Sequence, residues 1–101
     1  MSKKALEQLS ETMFYVLMAF HCGEFCGAEV TAWIEERTRG RIRMGPGTLY
    51  TILAQFESAG VLENAEIQGR KKHYRITEKG IRLYSEELAR LRQCVADAEG
   101  S

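Results

Sequence analysis

The sequence predicts a mostly α-helical domain with a small β-hairpin, of the α+β class, followed by a long C-terminal helix. Apolar residues recur at helical spacing in four separate segments. Between the third and fourth of these, residues 61–67 and 73–77 alternate polar and apolar side chains on either side of a polar turn, which is typical of a hairpin. At 101 residues the chain has the length of one domain.

Two helices are predicted ahead of the centre of the chain. The first spans residues 6–21, and its second half is apolar nearly all round, which indicates a buried helix. Two glycines within residues 22–27 break this pattern. A second helix follows over residues 28–38, and Gly40 ends it.

The central segment, residues 44–60, predicts the third helix. Pro46 suits the first helical position, and Gly60 suits a left-handed stop. One face is apolar and carries Leu49, Ile52, Leu53 and Phe56. The opposite face is small, polar and uncharged, and it includes Thr48, Tyr50, Thr51 and Gln55. The alternating residues 41–44 predict either a short strand or an extended lead into this helix.

The C-terminal segment predicts a helix over residues 78–98, with Thr77 as its N-cap. Its apolar residues follow a heptad pattern and are Ile81, Tyr84, Leu88, Leu91, Val95 and Ala98. A stripe of this kind must be covered, and a chain of this length has little else to cover it. A second copy of the chain is therefore the expected partner, with residues 1–77 as the head and 78–101 as the dimerisation helix and tail.

Three helices followed by a two-stranded hairpin form the layout of a winged helix-turn-helix, whose third helix enters the major groove of DNA. Net charge is zero, but residues 37–82 carry +6 and the remainder −6. A basic surface on a neutral chain is compatible with nucleic-acid binding. The predicted contacts with double-stranded DNA are Thr48, Tyr50 and Thr51, with Arg41 and Arg43 ahead of the helix and Arg70, Lys71 and Lys72 in the hairpin turn.

Motif residues in the same regions point to a family. They are Gly45-Pro46-Gly47-Thr48-Leu49-Tyr50, then Leu53, Phe56 and Glu57, then Gly60-Val61-Leu62, and finally Lys72-His73-Tyr74-Arg75-Ile76-Thr77-Glu78-Lys79-Gly80. Together they resemble the PadR family of bacterial transcriptional regulators over roughly residues 12–80. The resemblance implies a winged helix-turn-helix with a C-terminal dimerisation helix, similar to the small subfamily with one such helix. It also implies a repressor that responds to a phenolic or other hydrophobic small molecule.

The sequence departs from the family pattern in its third helix. Gly45 stands where the family usually has Ser, Thr51 where it commonly has Pro, and no basic residue lies near Ala54 and Gln55. These departures remove interactions with DNA, so a protein-interaction module that has lost specific DNA binding is the alternative. A small-molecule carrier built on the dimer cleft is a third option. Tyr50 either donates a hydrogen bond to phosphate, as the resemblance supports, or lies at the edge of the core.

The remaining candidate sites are weak. Trp33 is expected in the core, and in a dimeric regulator it could also line an effector pocket. Cys22 and Cys26 are expected as small buried hydrophobes or as a thiol sensor, because nothing in the sequence places Cys94 or His73 near them as a further metal ligand. No metal, cofactor or catalytic constellation is predicted, so the protein is not expected to be an enzyme.

Three cysteines cannot all pair, and no signal peptide or apolar run of membrane-spanning length is visible. A cytoplasmic protein without a membrane segment is therefore expected.

Overall fold

The computed structural model describes residues 9–68 and 71–100 as four helices and three short strands. In chain order the elements are α1 (Glu11–Cys22), β1 (Phe25–Cys26), α2 (Gly27–Arg37), α3 (Pro46–Ser58), β2 (Leu62–Gln68), β3 (Lys71–Ile76) and α4 (Glu78–Glu99). The strands form one antiparallel sheet in the order β1-β3-β2. The predicted fold class, mostly helical with a small sheet, is confirmed.

Helix α1 begins later than the sequence pattern suggests. Ser10 is its N-cap, and the Ser10 hydroxyl accepts a hydrogen bond from the backbone N–H of Met13 at 3.1 Å. Leu9 is buried but lies outside the helix, so the predicted helix is wrong for residues 9 and 10, and its predicted residues 6–8 lie outside the described part of the chain. Apolar spacing continued through Leu9, but the local capping bond decides where the helix begins.

The core is built around α1, which packs against α2, α4 and β3. Its fully buried side chains come from α1, α2, α3 and the start of the wing, and the largest are Phe20, Phe56, Leu17, Ile34, Leu49, Leu53 and Leu62. Helix α2 ends at Arg37, and Gly40 has a positive φ of 79°, as expected for a stop. Gly60 has the same φ after α3, which confirms the predicted left-handed turn there.

The third strand is not where the alternating pattern suggested. Residues 42–45 form no strand pairing, so the strand alternative for residues 41–44 is wrong, and the chain enters α3 through Gly45, whose backbone is extended. The third strand is β1, in the segment predicted only as a break. Phe25 pairs with Tyr74 and Cys26 with His73 of β3. A two-residue strand has no periodicity of its own, and only its partner defines it.

The wing is formed by β2 and β3, which pair from Leu62↔Ile76 to Gln68↔Lys71 with an irregularity between Asn64 and Ile67. Lys71 and Lys72 therefore belong to β3, and the prediction that both lie in the turn is wrong. The ladder extends further than the side-chain alternation did, since backbone pairing tolerates the polar residues at the hairpin end. Arg70 lies outside the described residues.

Helix α4 is tied closely to the wing at its first turn. The Thr77 hydroxyl accepts from the N–H of Gly80 at 3.1 Å and donates to the carbonyl of Gly60 at 2.6 Å. Gly80 is packed so tightly that a Cβ would collide with the Val61 carbonyl oxygen and lie 2.7 Å from Cγ1 of Ile76. None of the described helices, α4 included, has the length and apolar character to cross a membrane.

The heptad stripe of α4 is partly covered by the chain itself. The Tyr84 ring stacks on Phe14 with centroids 5.4 Å apart and on His21 at 4.5 Å. Leu88 and Leu91 also pack against the core, so the premise that the chain has little else to cover the stripe is wrong for these residues. Ile81 and Val95 remain 41% and 54% exposed. The dimerisation role of the stripe stays a prediction.

A buried carboxylate joins α4 to the N-terminal segment. Glu87 Oε2 accepts from the backbone N–H of Leu9 at 3.2 Å and from Arg90 Nη2 at 2.7 Å, and Oε1 accepts from Arg90 Nε at 3.1 Å. The hydrogen bonds from Arg90 lower the pKa of the Glu87 carboxyl, helped by the Leu9 N–H and opposed by burial. The group is therefore held as a carboxylate.

Substituting Gly80 by Ala should destabilise the fold. The new Cβ meets the Val61 backbone, which cannot rotate away, so α4 must shift from the wing. We expect a loss of about 1–3 kcal/mol in the free energy of unfolding, the usual cost of overpacking, measured by urea denaturation. Gly47→Ala is the matched control, since its Cβ meets nothing within 4 Å and Ala favours a helix. Equal stability of the two variants would contradict the packing described at Gly80.

The contribution of Glu87 should depend on pH. Because its folded-state pKa is lowered, its stabilisation is present above the unfolded value of about 4.3 and is lost as pH falls through the folded value. At pH 7 we expect Glu87→Gln to lose about 1–3 kcal/mol of unfolding free energy, and this difference should shrink as the pH is lowered below the unfolded value. The exposed neighbour variant Glu86→Gln should show neither effect. A wild-type-to-variant difference independent of pH would rule out this role for the carboxylate.

Candidate nucleic-acid interface

Helix α3 has one buried face and one open face. Its four apolar side chains, Leu49, Ile52, Leu53 and Phe56, are between 0% and 6% exposed. The exposed side chains on the other face are Thr48, Tyr50, Thr51, Ala54, Gln55 and Ser58. No charged residue occurs between residues 44 and 56. The burial fixes which side of α3 any ligand can reach, and that side is polar and neutral.

The first turn of α3 is unobstructed. Gly45 is the N-cap, Pro46 opens the helix, and a Cβ at either Gly45 or Gly47 would meet nothing within 4 Å. The Thr51 hydroxyl donates to the Gly47 carbonyl at 2.9 Å. Its hydrogen is thus already engaged, which leaves the oxygen of Thr51 as an acceptor. Thr48 is exposed on the same turn.

Tyr50 links α3 to the start of α2. The side chain is 54% exposed, and its hydroxyl lies over Gly27, where a Cβ would come within 2.7 Å of the oxygen. A crevice of about 240 Å³ lies between the two helix starts, lined by Gly27, Ala28, Thr31, Met44, Pro46, Leu49 and Tyr50. The hydroxyl therefore lies near the positive end of α2, where an anion is favoured. Gly27 leaves room for the Tyr50 hydroxyl. No sequence pattern indicates this contact, since it arises only where α2 and α3 approach each other.

The two arginines ahead of α3 are exposed and paired with carboxylates. Arg41 Nη1 is 2.9 Å from Glu11 Oε2, and Arg41 Nη2 donates to the Tyr15 hydroxyl at 3.0 Å. The hydrogen bond and charge of Glu11 raise the pKa of Arg41. Arg43 Nε lies 3.4 Å from Glu35 Oε2. Both cations thus flank α3 in ion pairs that are open to solvent.

The described part of the wing also carries partnered cations. Lys72 Nζ lies 3.6 Å from Glu57 Oε1 and 5.3 Å from the centroid of the Tyr74 ring. Arg75, which was not among the predicted contacts, pairs with Glu63 at 2.9 Å. The side chain of Lys71 and all of Arg70 lie outside the described residues, so their predicted contacts stay predictions.

Trp33 is half-buried against the core, and the Arg37 guanidinium lies 5.4 Å from the centroid of its ring. A groove of about 400 Å³ lies nearby, lined by Tyr15, Met18, Arg37, Thr38, Arg39 and Arg41. Arg37 belongs to both environments, but Trp33 does not line the groove. An effector pocket at Trp33 therefore stays a prediction.

The arrangement of buried α3, paired wing and long α4 matches known regulators. A model of the transcriptional regulator PadR-like family matches residues 16–86. The chain belongs to this family. PadR-like proteins are DNA-binding transcriptional regulators and not enzymes, so the predicted family and the prediction that the protein is not an enzyme are both confirmed. A comparison with curated proteins found no significant sequence match.

Solved structures show the same fold. A transcriptional regulator from Clostridium thermocellum, Cth-833, is 23% identical with a TM-score of 0.77 and covers 87% of this chain and 89% of its own. A PadR-like regulator from Bacillus cereus is 16% identical with a TM-score of 0.74, covering 88% of each chain. Bacillus subtilis PadR in complex with operator DNA is 22% identical with a TM-score of 0.69, covering 78% of this chain and 47% of that one.

Proposed function

We propose that this PadR-like protein is a cytoplasmic homodimeric repressor that binds a palindromic operator. Helix α3 lies in the major groove, and the wing contacts the flanking backbone. The observation that carries the proposal is the orientation of α3. Its apolar face is fully buried, and its exposed side chains are uncharged, while the half-buried carboxylate of Glu57 at the edge of the helix is paired with Lys72.

The flanking ion pairs do not prevent phosphate binding. Arg41, Arg43 and Lys72 each face a carboxylate, but the two arginine pairs are exposed and the Lys72 pair is only half-buried. Exposed ion pairs contribute about 0–1 kcal/mol, so a phosphate replaces the carboxylate at little cost. The cations already lie at the edges of α3, and DNA binding exchanges their partners.

Specificity in this proposal rests on few direct contacts. Thr48 and Tyr50 present hydroxyl groups, and the engaged Thr51 hydroxyl offers an acceptor. Because α3 contributes no cation, it cannot make the bidentate arginine contact with guanine that many DNA-binding proteins use. Sequence-dependent DNA shape and bendability supply the remaining discrimination.

The dimer is proposed from α4. Ile81 and Val95 are apolar and exposed, and both lie on the stripe whose central members, Tyr84, Leu88 and Leu91, are only half-buried by the chain itself. The α4 helix of a second copy would cover the apolar side chains that α1 leaves exposed. Two heads joined in this way present two α3 helices to successive turns of DNA, as a palindrome requires.

An effector is also proposed, with release of DNA as its consequence. The groove beside α1 and α2 has an aromatic wall at Tyr15 and three arginines, Arg37, Arg39 and Arg41, at its rim. A small phenolic ligand with an acidic group fits that chemistry. Since Arg37 also covers Trp33, occupancy of the groove would change the surroundings of the indole.

DNA binding should be strongly salt-dependent. We expect anisotropy titrations on duplex DNA from the region upstream of the gene to give a steep negative slope of log K against log salt. The double variant Arg70→Ala/Lys71→Ala should reduce that slope by about one unit for each phosphate interaction that it removes. Tyr50→Phe should lower affinity and leave the slope unchanged, since it removes no charge.

Arg92→Ala is the control for these titrations, because it removes one exposed cation from α4 and leaves the head intact. Its slope should equal that of the wild type. Undetectable or salt-independent association of the wild-type protein would defeat the proposal.

The second candidate is a protein-interaction module that no longer binds an operator. It is favoured by one observation: α3 has no cation of its own, and Arg41, Arg43 and Lys72 beside it already have carboxylate partners. Pull-down with and without nuclease separates the two functions. A protein partner that survives nuclease treatment, with no DNA recovered, would favour this candidate.

Dimerisation should depend on the exposed end of the stripe. Val95→Glu places a carboxylate on the proposed contact, and we expect sedimentation velocity to show dimer affinity reduced by at least about tenfold, since an unpaired buried charge costs more than the 1.4 kcal/mol that tenfold represents. Ala89→Glu adds the same charge at a position off the stripe and should leave the dimer intact. A wild-type protein that is monomeric at every concentration would contradict the homodimer.

A further inference from the structure

The pairing of β1 with β3 brings together three side chains that are distant in sequence. Cys26 lies opposite His73 in the sheet, and Glu29 follows Cys26 by one turn at the start of α2. The Cys26 sulfur, a His73 ring nitrogen and a Glu29 carboxylate oxygen all lie within 4.8 Å of one another. Within residues 9–68 and 71–100 this is the single group of three or more such side chains with that geometry.

The cluster has the burial expected of a site and one polar atom that the fold leaves unsatisfied. Cys26 is 4% exposed, and the His73 side chain is 17% exposed. Among the described residues no group hydrogen-bonds His73 Nδ1, although that atom is buried. The ring nitrogen beside the carboxylate is the other one: His73 Nε2 lies 3.6 Å from Glu29 Oε1, and the Glu29 side chain is half exposed.

We propose that Cys26, Glu29 and His73 form a Zn²⁺ site that joins the wing sheet to the N-terminus of α2. In a tetrahedral zinc site with sulfur, nitrogen and oxygen ligands, neighbouring ligand atoms are about 3.3–3.8 Å apart, as the bond lengths of about 2.0–2.3 Å require. The three atoms are already within 4.8 Å, so side-chain rotation closes the difference. The cluster supplies three ligands, so water would be the fourth.

The ligand types select zinc over the hard cations. Thiolate and imidazole suit Zn²⁺, whereas Mg²⁺ and Ca²⁺ require oxygen ligands. Metal binding releases the thiol proton, and a thiolate at the N-cap of α2 faces the positive end of that helix. Glu29 accepts from the Cys26 N–H at 2.9 Å, which holds its carboxylate beside the sulfur.

The position of the cluster gives the metal a structural consequence. Helix α2 begins at Gly27, directly after Cys26, and the Tyr50 hydroxyl of α3 lies over Gly27. A metal bound to β1, α2 and β3 would fix the wing against the helix start on which Tyr50 rests. The metal site stands on these contacts alone and holds whether or not the protein binds an operator.

The test uses the full-length reduced protein, with Co²⁺ as a spectroscopic probe and Zn²⁺ measured by competition with a chromogenic chelator. We expect one metal per chain and a thiolate-to-Co²⁺ absorption band. Cys26→Ser should remove the band and weaken Zn²⁺ binding by at least about 100-fold, the upper end of what loss of a mere supporting group costs. Ser is a preferred N-cap, so this variant keeps the start of α2 intact.

The chain supplies matched controls. Cys22 and Cys94 are both exposed free thiols outside the cluster, and Cys22→Ser and Cys94→Ser should bind Co²⁺ and Zn²⁺ like the wild type. His73→Gln should weaken binding as Cys26→Ser does, and circular dichroism checks that both variants are folded. Wild-type protein without stoichiometric metal, binding retained in Cys26→Ser, or binding lost equally in Cys22→Ser would each overturn the proposal.

Discussion

The burial of one face of α3 is the constraint on which the rest of the structure depends. Leu49, Ile52, Leu53 and Phe56 leave the helix a single orientation, and almost none of their surface reaches solvent. At about 1.5–3 kcal/mol for each buried side chain, rotating the helix would cost as much as a domain of this size has as net stability. The open face is therefore set by hydrophobic packing and needs no polar contact to hold it. That leaves Thr48 and Tyr50 free to serve a ligand.

The charged side chains around α3 lie at the surface and are arranged in ion pairs. The segment from residue 37 to 82 carries +6, yet Arg41, Arg43 and Lys72 beside α3 each lie next to a carboxylate. Two of these carboxylates, Glu11 and Glu35, belong to the acidic remainder of the chain. This pairing lets a neutral protein carry a basic surface without strong self-repulsion. Exposed ion pairs are weak and screened by salt. They orient the guanidinium groups, yet a phosphate can replace the carboxylate at little cost in free energy. Affinity for an anion is thereby reduced but not abolished.

Much of this was predictable because it is local. Pro46, Gly60 and Thr77 mark helix ends through backbone conformation and capping, and the structure places all three as the sequence indicates. The cluster of Cys26, Glu29 and His73 was harder to predict from the sequence. Strand β1 has two residues, and only its pairing with β3 reveals it; that pairing also brings His73 to Cys26 across 47 positions. Tyr84 fits the heptad pattern, but its ring stacks on α1. A heptad pattern alone does not predict whether the same chain or a second copy covers the apolar residues. Non-local contacts of this kind carry no sequence period.

Because Tyr84 packs on α1, movements of α4 and of the head are expected to be coupled. Helix α4 is fastened to the wing at Gly80 and to the N-terminal segment through Glu87, and it packs on α1 along its middle. Its movement is restricted, because a shift of the helix would have to break the buried hydrogen bond from the Leu9 N–H to Glu87 or slide Tyr84 along Phe14. The groove beside Tyr15 is lined by residues of both α1 and α2, so a ligand bound there would act on both helices, and α1 in turn contacts α4 and the wing strand β3. Because α1, α4 and the wing are closely packed, they are expected to move together. A ligand would then act by favouring one arrangement of the head and α4 over another.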